Sequence, residues 1–202
     1  MKRIGMICLA LILALGALGV AYAPWTDEVE ITQTVQTAGF AAGIRGEAAL
    51  IQEKDVATVD VDHGDRRFEK DDVEYYDSVT IVIEDAYPCL TIVEWFYFAL
   101  EPGSIPAHLS LELEILSDPD NLDPFVDIPY WELWTNGTPL AEGFNLTSLV
   151  NYVEGYQIHD CEVLVLVLHK HILQEDDDGN KCPMGATAEF KMTVTATQYN
   201  WP

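Results

Sequence analysis

A period of two in the apolar residues, repeated in short runs and cut by turn chemistry, limits this chain more than any other feature. From His108 to Leu116, Leu109, Leu111, Leu113 and Ile115 alternate with Ser110, Glu112 and Glu114. From Ala186 to Gln198, Phe190, Met192, Val194 and Ala196 alternate with polar residues in the same way. Successive side chains of a strand point to opposite faces, so such runs bury one face and wet the other. Ser78 to Glu84 is a β-branched strand, Leu90 to Leu100 an aromatic-rich strand buried on both faces, and Glu162 to Leu173 a long apolar strand. Ala48 to Asp62 reads as one extended region, closed by the turn Asp62-His63-Gly64-Asp65. Ser117 to Pro139 reads as a loop with one short strand at Tyr130 to Trp134, and Leu146 to Tyr152 as one or two helical turns capped by Asn145. No long stretch has a helical period. Strands at this spacing between Pro and Gly turns predict an all-β fold, a single jelly-roll-like antiparallel β-sandwich.

The N-terminus adds a location. Lys2 and Arg3 precede an apolar, charge-free run from Ile4 to Val20, and small residues follow at Ala21-Tyr22-Ala23. This is the pattern of a signal peptide over residues 1–23, forming a helix ahead of a sandwich domain at 24–202. Cleavage is expected after Ala21 or Ala23. Pro24 makes the second site awkward, and an uncleaved anchor is the alternative because the run is close to spanning length. The protein is therefore expected outside the cell, secreted or at the cell surface, with membrane contact only through the signal. Roughly 180 residues remain, enough for one domain burying about 70% of its unfolded surface. The formal charge is -24, and losing Lys2 and Arg3 makes it -24 - 2 = -26. Such acidity opposes nucleic-acid and anionic-lipid binding and suits a solvated, aggregation-resistant surface.

Three cysteines lie outside the signal: Cys89, Cys161 and Cys182. Cys161 and Cys182 flank a strand-like run and an acidic turn, which predicts a disulfide between them; Cys89 is left over, read first as an inert buried thiol, with a capped thiol or an intermolecular bond as the alternatives. Calcium is the candidate ion. The acidic turns at Asp60 to Asp65, Asp118 to Asp123 and Glu175 to Asn180 each cluster oxygens, and the last is densest, with Asp176, Asp178 and Asn180 as ligands. None has a full twelve-residue loop with a terminal Glu, so a solvated hairpin loop is the plainer reading. His169 and His171 share one strand face at a zinc-ligand spacing, against the simpler reading of a polar outward face. No metal-plus-base helix and no nucleophile elbow occur, so no catalytic residue is assigned. Asn136 and Asn145 stand in glycosylation sequons, the first weakened by Pro139.

Several segments together resemble the TasA/camelysin family of exported fibre proteins, whose signal peptides are handled by a dedicated SipW-type peptidase. They are the signal end near Ala21 or Ala23, then Trp25-Thr26-Asp27-Glu28 on to Thr37-Ala38-Gly39, and the turn Ala99 to Ala107. The C-terminal matches are Gln157-Ile158-His159 and Ala186 to Phe190, ending at Gln198. Glu101 stands where the family turn usually has Asn. The resemblance implies a jelly-roll-like sandwich that forms extracellular fibres, the N-terminal strand of one subunit completing the sheet of the next. Here that strand would be Pro24 to Thr37, with Trp25, Val29, Ile31 and Val35 as its anchors. Its partners would be further copies of the chain. Pairing within its own subunit is the alternative. The resemblance also implies a second function, a camelysin-like metallo-endopeptidase, for which His169 and His171 are the residues to test. A calcium-stabilised surface adhesin is a third, tested at Asp176 to Asp178.

Overall fold

The computed structural model describes residues 41–52 and 56–198. The expected signal peptide at residues 1–23 and the expected anchors Trp25, Val29, Ile31 and Val35 lie outside the described residues. The strands are β1 (Ala42–Ile51), β2 (Thr58–His63), β3 (Arg66–Lys70), β4 (Val73–Tyr76), β5 (Ser78–Ala86), β6 (Thr91–Leu100) and β7 (Ala107–Ser117). There follow β8 (Val126–Thr135), β9 (Thr138–Gly143), helix α1 (Leu146–Gly155), β10 (Gln157–Ile158), β11 (Val163–Ile172) and β12 (Ala186–Gln198). They form a seven-stranded sheet in the order β3-β4-β1-β6-β11-β8-β9 and a five-stranded sheet in the order β10-β7-β12-β5-β2. Every pairing is antiparallel. The fold is the all-β sandwich that the alternating runs require.

The inward faces supply one core. Ile44, Phe96, Phe98, Leu133, Leu164, Leu166 and Leu168 of the larger sheet meet Val79, Ile81, Ile83, Leu109, Phe190, Met192 and Val194 of the smaller. A second, small cluster of Phe68, Tyr75 and Ala99 forms where the β3–β4 hairpin packs near Tyr97. Ala99 and Tyr97 alternate with Phe98, so this cluster lies on the opposite face of β6. Gly43 allows the contact, since a Cβ there would stand 2.6 Å from Tyr75 Cβ. Lys70 Nζ fastens the hairpin by donating to the carbonyl of Asp160 and, at 3.0 Å, to that of Glu162.

Four expectations change. The extended region Ala48 to Asp62 is two strands, β1 and β2, in different sheets. The stretch taken as loop from Ser117 to Pro139 holds the ten residues of β8, which contains Tyr130 to Trp134. The turn between β8 and β9 is Asn136-Gly137, with φ of 46° and 76°, the left-handed pair that a two-residue hairpin needs. The second face of β6 is buried only in part: Val93 and Ala99 are covered there, while Trp95 and Tyr97 are partly exposed.

The Cys161–Cys182 disulfide is the fourth. All three cysteines are free thiols. Cys161 precedes β11 and Cys182 hydrogen-bonds Gln174 just past its far end. Ten strand residues span about 33 Å, against the 4.4–6.8 Å that a disulfide requires between Cα atoms. Cys89 is exposed rather than buried, and Cys182 is the buried thiol.

Candidate functional site

The apolar face of β7 runs further than the core that covers it. Leu109 is buried, Leu111 and Leu113 are partly covered, and Ile115 is 42% exposed. The reason is an opening between the sheets at one pole of the sandwich. β7 pairs with β12 along its length, but on its other side only Ala107 and His108 have a partner, in β10. β8 pairs with β11 from Val126 onward, while β9 covers only Trp131 to Thr135. Leu109 to Ser117 and Val126 to Tyr130 are thus two strand edges without a ladder partner among the described residues.

Between these edges lies a cleft of about 390 Å³, lined by Leu113, Ile115, Val126, Ile128, Leu146 and Phe190, with Lys170 in its wall. Asp123, Asp127 and Asn145 complete its polar lining. Asn145 is also the N-cap of α1, its side chain accepting from Ser148 N at 3.0 Å, as the sequence predicts. Helix α1 packs on β7 through Leu149 and Val153. The β7–β8 connection is held by Asp118, whose carboxylate accepts from Leu122 N at 2.6 Å and Asp123 N at 2.9 Å.

A register shift lies at the cleft wall opposite Lys170. Tyr130 pairs with His169 and Asp127 with His171, so Ile128 and Pro129 face Lys170 alone. That is a β-bulge, and Pro129 has no N–H to give to the ladder. Lys170 Nζ makes one hydrogen bond among the described residues, to Glu94 Oε1 at 2.8 Å, and stands 4.6 Å from the centroid of the Phe190 ring. Both partners are buried, Lys170 at 2% and Glu94 at 0% side-chain exposure. The second carboxylate oxygen, Glu94 Oε2, is buried with no hydrogen-bond partner among the described residues. The sequence reads Glu162 to Leu173 as a long apolar strand and assigns no role to Lys170 or Glu94. The signal was available: both fall in the inward register of their strands.

The described chain begins at the other pole. Ala42 pairs with Leu100, and Ala99 with Val163, so β1 starts seven residues of β11, about 23 Å, from the level of Lys170.

The remaining sequence candidates lie apart from the cleft lining. His169 faces outward beside Trp95 and Trp134 in a shallow groove on the other face of the larger sheet, its ring 5.6 Å from that of Tyr130. Tyr130 donates to Glu142 at 2.7 Å, which pushes its phenol up to about 12. His171 Nδ1 stands 3.2 Å from Thr91 Oγ1. Asp176 organises its own turn: it accepts from Asn180 Nδ2 and Asn180 N at 2.7 Å each, and from Asp178 N at 3.1 Å. The Asn180 side chain, with backbone amides behind it, holds this carboxyl below its ordinary value. Among the described residues no three His, Cys, Asp or Glu side chains converge on a metal position. Asn136 Oδ1 accepts from Val163 N at 3.1 Å. No helix of the described residues is long and apolar enough to cross a membrane.

No protein-family model, curated protein or solved structure matches this chain.

Proposed function

We propose that this protein is a secreted structural subunit of an extracellular fibre or matrix, and that the cleft between β7 and β8 receives the N-terminal strand of a neighbouring copy. The observation that carries this reading is the pairing of an apolar cleft with two strand edges that have no ladder partner among the described residues. An inserted strand gains main-chain hydrogen bonds from an unpaired edge and buries alternate side chains between the sheets. The segment Pro24 to Thr37 has the required alternation at Val29, Ile31 and Val35. Polarity supports the same reading. The donor segment leads into β1 at one pole and the cleft opens at the other, so each contact joins unlike surfaces and leaves the next ones free.

The test is electron microscopy and sedimentation of the processed protein at raised concentration, beside a variant lacking residues 24–37. Fibres from the intact protein and folded monomers from the truncated one are expected. Fibres from the truncated protein would sink the proposal.

A further inference from the structure

The cleft wall has a feature that a purely apolar acceptor does not need. Lys170 presents an ammonium with one hydrogen bond, and behind it Glu94 Oε2 has none among the described residues. Buried polar groups are ordinarily satisfied, and leaving them bare is costly. Lys170 lines the cleft and Glu94 does not, so an occupant that matches this cleft carries apolar side chains and, among them, one uncharged group able to accept from an ammonium. A side-chain amide does so through its oxygen and adds no charge to a site already rimmed by Asp123 and Asp127.

The chain itself holds that pattern. In an extended segment Val29, Ile31, Gln33 and Val35 share one face, so a single amide sits among three β-branched apolar residues. Reach favours a second copy as the source. Nine residues separate Gln33 from Ala42 and span at most about 30 Å, while about 23 Å is used along β11 alone before β6 and β11 are rounded.

We infer that Gln33 of one copy is the register key of the contact, its amide oxygen accepting from the Lys170 ammonium of the next copy. Val29, Ile31 and Val35 fill the apolar cleft on either side. This rests on the strand-addition reading above and deepens it. A slip of one residue turns Gln33 outward, and a slip of two puts Ile31 or Val35 against the ion pair. Either mismatch leaves a charge bare, so the polar pair selects one alignment out of several that the apolar residues alone would accept.

The test measures self-association of the processed protein by sedimentation over a concentration series. Gln33→Leu is expected to weaken association roughly ten-fold, the loss of a hydrogen bond to a buried charge. Thr32→Leu, on the opposite face, should leave it within about two-fold. In a Glu94→Met/Lys170→Met background the preference should reverse, with Gln33→Leu the tighter binder. Equal association of the Gln33→Leu and parent proteins overturns the inference while the fibre reading stands. Association that survives deletion of residues 24–37 overturns both. A concentration-independent monomer whose melting temperature falls with Gln33→Leu places the segment in its own subunit and overturns the second-copy assignment. Should the double variant not fold, the comparison of Gln33→Leu with Thr32→Leu decides alone.

Discussion

Removing the Lys170 ammonium isolates a buried carboxylate, and the size of the penalty measures how dry the cleft wall is. At 2.8 Å and an effective dielectric of about 20 the attraction between Lys170 and Glu94 is about 6 kcal/mol. Taking the two charges out of water costs several kcal/mol for each, so the pair is close to break-even. The Phe190 ring at 4.6 Å adds about 2 kcal/mol in such a desolvated place. Lys170→Met abolishes both attractions and leaves the cost of burying Glu94, a predicted loss of about 3–5 kcal/mol. Against a typical total of about 5–15 kcal/mol, that is a large share. Glu94→Met/Lys170→Met removes the cost as well and is expected to equal or exceed the parent protein. Urea unfolding followed by tryptophan fluorescence reads both, since Trp131 is buried in the core. A loss below about 1 kcal/mol in the single variant would refute the reasoning, because exposed pairs contribute no more than that.

Three further outcomes are expected. Mild oxidation should join Cys89 to Cys182, both of which contact Gln174, and leave Cys161 open to alkylation, as peptide mass mapping would show. Acid should loosen the turn at Glu175 to Lys181. The Asp176 carboxyl is held below its ordinary 3.8, so its contribution is present above that value and lost as the pH falls through the lowered one; exchange of the Asn180 amide reports it. Asn145→Ala should cost about 1–2 kcal/mol in the same urea assay, and Asn145→Gly less, because the residue both caps α1 and holds a φ of 64°.

Where local rules decide, the sequence was readable. Period-two alternation placed β7 and β12, β-branched and apolar runs placed β5 and β11, and the Asx cap placed the start of α1, because each depends on neighbours along the chain. The β3–β4 hairpin escaped notice for a local reason too: its turn is Asp71-Asp72, with φ of 53° and 62°, and no glycine marks it. β9 was missed although Asn136-Gly137 is a strong hairpin signal, its Pro139 suggesting a loop; Pro is tolerated there because β9 is a sheet edge. The cleft was beyond local reading. It arises from which strand stops short of which, and from a bulge opposite Lys170, facts of pairing between distant segments. The Cys161–Cys182 pairing failed likewise, since closeness in sequence was mistaken for closeness across a rigid strand.

The sheet margins are guarded unequally. β2 carries Asp60 and Asp62 in an exposed strand, β3 carries Arg66 and Glu69, and β9 is short and interrupted by Pro139. Charge, brevity and proline are the usual protections against unwanted sheet extension. The β7–β8 opening has an exposed Ile115 and Leu116 instead, with Phe144 70% exposed in the loop before α1. A row of copies joined through that opening would have two different tips, one offering a bare cleft and the other a loose strand. Growth would then be directional, and blocking a cleft would stop it at that tip alone. A molecule bearing only the donor strand would cap the cleft-bearing tip and leave extension to the other.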